Sequence, residues 1–149
     1  MTNTFKTHVR PLLEFSSPVW NTGYIGDAKL MERVQRQWTK EIVGLKFLPY
    51  SERLKQLDLF SVQGRLLRAD LILCWKILNG MVCIPNTILP LSPESRTRGH
   101  TKRIALPSVN TSARQRYFSY RVIQPWNNLP EHVSANCLKT FKTLLKEEL

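Results

Sequence analysis

Cationic and aromatic side chains alternate in one stretch of this sequence in a way that suits a polyanionic ligand. Seven Lys and Arg residues and no acidic residue lie between Arg96 and Arg121. Clustered cations bind phosphates with release of counterions, and aromatic rings among them stack on unpaired bases. The residues predicted to contact phosphates are Arg96, Arg98, Lys102, Arg103, Arg114 and Arg116, with Tyr117, Phe118 and Tyr120 as aromatic neighbours. Alternatively, Phe118 belongs to the core and the cations form a solvated face or pair with Glu residues elsewhere.

A second group of cations falls on the clearest amphipathic helix of the sequence. Apolar residues recur there at intervals of three or four, which predicts a helix whose apolar stripe faces the core. The stripe consists of Leu30, Val34, Trp38, Ile42 and Leu45, and the opposite face holds Lys29, Glu32, Arg33, Arg36, Lys40 and Glu41. Glu32 and Arg36 stand four residues apart and should attract each other. Arg33, Arg36 and Lys40 are the second candidate surface for nucleic acid.

The residue types and spacings predict no catalytic site. Two-metal phosphoryl chemistry needs carboxylates gathered around ions about 4 Å apart, whereas Asp27, Asp58 and Asp70 each stand alone. Asp70 is expected to be a solvated or salt-bridged helix residue. The three cysteines lack CxxC spacing and the three histidines are far apart, which argues against a zinc site. We expect no enzyme, metal, cofactor or small-molecule substrate, although a Ser/His/acid or Cys/His site assembled by tertiary folding stays open.

The composition indicates an anionic partner. Twenty-two Lys and Arg against eleven Asp and Glu give a net charge of +11 in 149 residues, which either nucleic acid or an acidic membrane would balance. The sequence has no run of about 18 apolar residues, and it begins with polar residues where a signal peptide would be charged and apolar. These features favour nucleic acid over a membrane. They predict a soluble, non-secreted chain of the nucleus or cytoplasm, with its cysteines reduced.

The hydrophobic periodicity predicts a mainly α-helical fold, a small bundle of about five to six helices. The first expected helix covers Phe5 to Pro18, and Pro11 should either kink it or start a second short helix. The other expected helices are the amphipathic stretch, a short segment capped by Ser51, a core helix from Ser61 to Leu78, Phe118 to Leu129, and a last helix from Asn136. A short β-hairpin fits residues 101–113. We divide the chain into a helical region at 1–80, a proline-rich linker loop at 81–95, and a basic region with two helices at 96–149.

Several side chains are predicted to form the core. Trp38, Trp75 and Trp126 each lie on a helical apolar stripe and are expected to be core anchors. Cys74 is expected to be buried. In the last helix, the apolar stripe consists of Leu138, Phe141, Leu144 and Leu145.

Short stretches along nearly the whole chain carry a family resemblance. They are Val9 to Trp20 (VRPLLEFSSPVW), Leu30 to Lys40 with the centre ERVQR, YSERL at 50–54, RADLI at 68–72, KILNG at 76–80, TRGH at 97–100, and WNNLP at 126–130 followed by FK at 141–142. In this order they resemble the region just past the catalytic palm of non-LTR retrotransposon reverse transcriptases of the jockey and chicken-repeat type.

The resemblance implies that residues 1–80 are thumb-like and that the rest follows the thumb, in a region that holds the template and primer. The sequence contains no counterpart of the palm with its metal-binding aspartates, of the fingers or of the endonuclease. We therefore expect a noncatalytic fragment that contributes RNA or DNA binding, with the rest of a reverse transcriptase as a further partner. Because a thumb rests on surfaces missing here, Pro11 to Trp20 should expose apolar residues, and marginal stability or self-association should follow. Cys137 stands where the family has Ser or Thr, so Asn136 is expected to cap the last helix.

Two other hypotheses stay open, as does the preference for RNA or DNA. The chain is alternatively a basic helical module that docks onto an acidic protein, or a defunct element fragment without selected function. Phosphate binding through about five contacts predicts a log–log salt slope near −3.5 to −4.5. A protein interface anchored by apolar residues should show a flatter slope, and a defunct fragment should fold poorly or lack a specific partner.

Overall fold

The fold is mainly α-helical, as predicted. The computed structural model describes residues 4–85, 87–92, 102–133 and 137–148. Across these residues no β-strand forms, and one isolated antiparallel bridge joins Leu91 to Ile104. The chain divides into two compact units, Met1–Leu66 and Leu67–Leu149. The predicted helical region 1–80 and basic region 96–149 were drawn from sequence character, and they do not coincide with these compact units.

We label the four longest described helices in chain order. They are α1 (Ile25–Lys40), α2 (Tyr50–Gln56), α3 (Val62–Leu78) and α4 (Leu138–Glu148). The shorter helical segments are Phe5–Val9, Arg10–Glu14, Ser17–Trp20, Ser112–Gln115, Phe118–Arg121, Ile123–Asn127 and Glu131–Val133. The boundary between the two units falls inside α3. None of the described helices is both long and apolar enough to cross a membrane.

The N-terminal segment is helical in three pieces. A π-helical turn at Phe5–Val9 passes directly into Arg10–Glu14, and Pro11, which has no N–H to donate, lies at the start of the second piece. Ser16 then adopts a left-handed conformation (φ 51°) before Ser17–Trp20. The Phe5 ring stacks on Trp38 with 4.1 Å between centroids, which holds the segment against α1.

The same segment exposes apolar side chains, as predicted. Leu12, Phe15 and Val19 are largely exposed, whereas Ser17 is buried. Glu14 forms ion pairs with Arg10 and Arg65, and these pairs tether the segment on its polar side.

The orientation of α1 differs from the predicted one. Leu30 and Val34, expected to face the core, are 59% and 45% exposed, while Gln35 and Thr39 are fully buried. Most of these buried polar groups have partners: the Gln35 NH2 group donates to the Tyr50 hydroxyl (2.9 Å) and the Phe60 carbonyl (3.0 Å), and the Thr39 hydroxyl donates to the Arg36 carbonyl (3.0 Å). The buried Gln35 side-chain oxygen has no hydrogen-bond partner among the described residues. Burying a polar group costs little when it is hydrogen-bonded. The apolar stripe was therefore wrong at Leu30 and Val34, whereas Trp38 and Ile42 are partly buried and Leu45, beyond the end of the helix, is buried as predicted.

The beginnings of α2 and α3 are set by different means. α2 follows Pro49 and starts at Tyr50, so the predicted N-cap at Ser51 was wrong. The predicted cap of α3 is confirmed, because the Ser61 hydroxyl accepts the Gly64 N–H at 3.0 Å.

The second unit has an apolar core built around three aromatic rings. The predicted anchors Trp75 and Trp126 are buried, and the Phe141 ring centroid lies 5.8 Å and 6.0 Å from theirs. The other core residues are Leu71, Cys74, Leu89, Ile104, Val122, Ile123, Val133 and Leu145. Trp38, the third predicted anchor, is only half-buried in the first unit. Burial also raises the pKa of the Cys74 thiol, which is therefore an inert core group.

Residues 102–113 do not pair with one another as a hairpin, and residue 101 lies outside the described residues. Ile104 instead forms the bridge to Leu91. On its other side, the Asn127 amide both accepts the Ile104 N–H (2.9 Å) and donates to the Ile104 carbonyl (2.8 Å). The Asn127 side chain thus forms the two hydrogen bonds that a neighbouring strand would otherwise form with the backbone of Ile104.

The start of α4 differs from the expected one in its capping residue. Asn136, expected to cap this helix, lies outside the described residues. The Cys137 sulfur accepts hydrogen bonds from the backbone N–H groups of Lys139 and Thr140, and these bonds lower the pKa of Cys137. Cys137 therefore occupies the N-cap position itself.

Candidate nucleic-acid interface

Four cations form a row along the exposed side of α1. Lys29, Arg33, Arg36 and Lys40 follow one another at intervals of four, three and four residues, which places them on one helix face. All four are exposed, and the buried Gln35 and Thr39 lie away from them. At a rise of 1.5 Å per residue, the row is about 16 Å long. We call these four residues the cation row.

The acidic side chains around the cation row bond to neutral donors. Asp27 accepts the Thr22 hydroxyl (2.6 Å), and Glu41 accepts the Gln37 amide (2.9 Å). Glu32 accepts the Tyr50 hydroxyl and the Val62 N–H (2.8 Å), so it caps the start of α3. The predicted Glu32–Arg36 ion pair was therefore wrong, because the carboxylate is used elsewhere. Over the described part of the chain, none of the four row cations has an ion-pair partner within 4.0 Å.

Arg36 is held in place without being neutralised. Its guanidinium carbon lies 4.3 Å from the centroid of the Tyr50 ring, a cation–π arrangement. Burial, followed by the hydrogen bond to Glu32, raises the pKa of Tyr50, so the phenol stays protonated and donates to that carboxylate. A charge that rests on a fixed ring loses less conformational entropy when it binds a ligand.

The first candidate set from the sequence lies in the second unit and is partly described. Arg96 and Arg98 lie outside the described residues. Lys102 donates to the Asn79 side chain at 2.6 Å, and Arg114 is exposed. Arg103 and Arg116 are half-buried and each already has an interaction within the protein. The described members of this set are thus less uniformly exposed than the cation row.

Two further residues of the basic stretch serve different purposes. Arg121 forms a two-pronged ion pair with Asp70, at 2.8 and 3.0 Å, and also donates to the Arg116 carbonyl at 2.9 Å. Of the two alternatives for Asp70, the structure shows the salt-bridged one, in a buried position. Burial raises the pKa of Asp70, and Arg121 opposes that rise. Tyr117, by contrast, is 65% exposed and available for stacking.

An apolar pocket lies next to the end of α3 in the second unit. Its volume is about 600 Å³, and its walls include Ile77, Val82, Ile84, Leu89 and Leu91. No charged side chain lines it among the described residues, so this pocket offers no phosphate contacts. The described residues also contain no cluster of three or more His, Cys, Asp or Glu that could hold a metal ion.

Compared with known proteins, the chain matches no family profile, no curated protein and no solved structure. The arrangement of its own side chains is therefore what bears on function. Two residues of the interface were not selected from the sequence. Lys29 could have been found from its spacing relative to Arg33, Arg36 and Lys40, whereas Tyr50 reaches Arg36 only through the packing of α2 on α1.

Proposed function

We propose that this chain binds nucleic acid through its cations and takes no catalytic part itself. The observation that supports this best is the cation row of α1, in which four exposed charges have no carboxylate partner within 4.0 Å among the described residues. Like charges held this close repel one another, and an anionic ligand removes that cost. A polyphosphate backbone provides such a ligand with the required regular spacing.

The length of the cation row suits a nucleic-acid backbone. Successive phosphates of one strand in a duplex lie about 3.4 Å apart along the axis and also wind around it, so a straight row about 16 Å long meets the few phosphates that face it. Each phosphate contact releases condensed counterions, which makes binding steeply dependent on salt. The exposed cations of the second unit, Arg114 above all, are further candidates for phosphate contacts.

We further propose that the chain is the thumb and post-thumb part of a non-LTR retrotransposon reverse transcriptase, and that it helps to hold an RNA–DNA template–primer in the nucleus or cytoplasm. The stretches VRPLLEFSSPVW and WNNLP and their order along the chain support this proposal. The exposed apolar residues of the N-terminal segment would contact the other parts of such an enzyme, which also supports this proposal.

A protein-binding role is the second candidate, and one observation favours it. Leu12, Phe15 and Val19 are exposed in the first unit, and exposed apolar groups of this kind mark protein contacts. An acidic protein would satisfy both the apolar residues and the positive charge of the chain. This candidate predicts binding that resists salt.

The test is fluorescence anisotropy of the full chain with a labelled RNA–DNA hybrid across a salt series. The variant removes three row cations and keeps Arg36, whose ring contact is structural: Lys29→Ala, Arg33→Ala and Lys40→Ala. Losing three phosphate contacts should make the log–log salt slope shallower by about two to three units. Paired variants Arg114→Ala/Arg116→Ala and Arg96→Ala/Arg98→Ala test the second unit in the same way.

The matched control removes the same charge from exposed positions that do not belong to the cation row. It carries Lys46→Ala, Lys55→Ala and Lys139→Ala. If the control flattens the slope as much as the row variant, the chain binds by net charge alone and the cation row has no special role. If the unaltered chain fails to bind at low salt, the proposal of nucleic-acid binding is wrong.

A further inference from the structure

One member of the cation row has a geometry that the other three lack. The Arg36 guanidinium lies over the Tyr50 ring, at 4.3 Å from its centroid, and the Arg36 side chain is nevertheless exposed. Neither Lys29, Arg33 nor Lys40 has an aromatic ring beneath it among the described residues. The row therefore contains one cation that rests on an aromatic ring and three that do not.

The ring that supports Arg36 is fixed from several directions. The Tyr50 hydroxyl donates to Glu32 and accepts from Gln35 at 2.9 Å. The buried Arg53 lies 5.4 Å from the same ring centroid. Arg53 also donates to the Arg36 carbonyl at 3.0 Å, so both the ring and the Arg36 backbone are held.

We propose that Arg36, resting on Tyr50, is a stacking platform for an unpaired nucleobase, and that the cation row therefore selects single-stranded nucleic acid over a duplex. This inference rests on the proposed function of the same surface. A guanidinium is planar and has two faces, and unpaired bases stack on Arg planes in RNA recognition. Because the Arg36 guanidinium carbon lies over the Tyr50 ring and the side chain is exposed, we place the base on the solvent side of the guanidinium.

The neighbours of Arg36 suit this arrangement. Arg33 precedes it by three residues and Lys40 follows it by four, so a cation lies on either side along the helix. A single strand can place a base on Arg36 and its flanking phosphates on those two cations. In a duplex the base faces are already stacked on one another, so the platform gains nothing there and only the phosphate contacts remain.

The test compares two charge-conserving variants on two ligands. Arg36→Lys keeps the charge and loses the plane, while Arg33→Lys makes the same change where no ring lies beneath the side chain. Affinities are measured by anisotropy for a labelled single-stranded RNA and for the RNA–DNA hybrid of the same length. A 2-aminopurine placed in the single strand reports stacking through its fluorescence, and far-UV circular dichroism checks the fold of each variant.

Arg36→Lys should weaken single-strand binding about ten-fold, the effect of losing one stacked base. It should change hybrid binding by less than about two-fold. It should also abolish the decrease in 2-aminopurine fluorescence that we expect when the unaltered chain binds the single strand. Arg33→Lys should change both affinities by the same small factor. If the two variants shift the single-strand and hybrid affinities alike, the platform is refuted while salt-dependent binding still stands. If the unaltered chain binds neither ligand, the proposed function and the platform both fail.

Discussion

Replacing Tyr50 by Phe tests the network that joins α1, α2 and the start of α3. The hydroxyl that would be lost donates to the Glu32 carboxylate and accepts the Gln35 amide at 2.9 Å. The ring stays, so its contact with Arg36 is retained. Glu32 keeps the Val62 N–H, and Gln35 keeps the Phe60 carbonyl.

The expected cost is about 2–3 kcal/mol in the free energy of unfolding of the first unit. The hydrogen bond from the Tyr50 hydroxyl to the charged Glu32 contributes about 1.5–3 kcal/mol. Loss of the bond from Gln35 to the Tyr50 hydroxyl adds to this cost, because it leaves one N–H of the buried Gln35 amide without its acceptor. With a urea m-value of about 1–2 kcal/mol/M for so small a unit, the midpoint should fall by roughly 1–3 M.

The assay is urea denaturation followed by tryptophan fluorescence, with amide hydrogen exchange to separate the two units. Tyr117→Phe is the matched control, since it deletes the same hydroxyl at an exposed position and should stay within about 0.5 kcal/mol of the unaltered chain. Faster exchange in Tyr50→Phe should appear in peptides from residues 25–66. Equal midpoints for Tyr50→Phe and Tyr117→Phe would refute the reasoning.

Three further predictions concern the core, the buried carboxyl and the exposed apolar segment. Burial raises the pKa of Asp70 in the folded protein, so protonation of this carboxyl stabilises the fold. That stabilisation is fully present below the ordinary Asp pKa of about 3.9, and it is lost as the pH rises through the pKa of Asp70 in the folded state. Urea titrations in the acid range should show that decline in the unaltered chain and not in Asp70→Asn, and identical profiles would contradict it. Phe141→Ala should cost about 3–5 kcal/mol in urea denaturation, whereas the exposed Phe47→Ala should cost under about 0.5 kcal/mol. Leu12→Asp/Phe15→Asp should reduce self-association in sedimentation velocity, and unchanged sedimentation would mean that these side chains do not drive it.

The helical class and much of the core could be predicted from the sequence, because they depend on local periodicity. Cys74, Trp75 and Phe141 each fall on the apolar stripe of a predicted helix, and all three are buried as expected. The buried face of α1 could not be predicted this way. Its burial depends on partners for Gln35 and Thr39 that lie elsewhere in the chain, and a hydropathy pattern contains no record of hydrogen bonds formed by tertiary folding.

In the candidate interface, too, features set by local spacing could be predicted from the sequence and contacts formed by tertiary folding could not. The spacing of Arg33, Arg36 and Lys40 placed them on one helix face, and the structure keeps them exposed. The sequence could not foresee that Arg121 would be committed to a buried Asp70, since these two residues are 51 positions apart. The support of Arg36 by Tyr50 was likewise invisible, because it arises between two helices.

The salt dependence of binding tests the central claim most directly. The measurement is the affinity of the unaltered 149-residue chain for a labelled RNA–DNA hybrid at a series of salt concentrations. The account predicts a linear log–log plot with a slope near −3.5 to −4.5, which corresponds to about five phosphate contacts. A flat plot, or no binding at the lowest salt, would contradict it and would leave a protein partner or a defunct fragment as the better explanation.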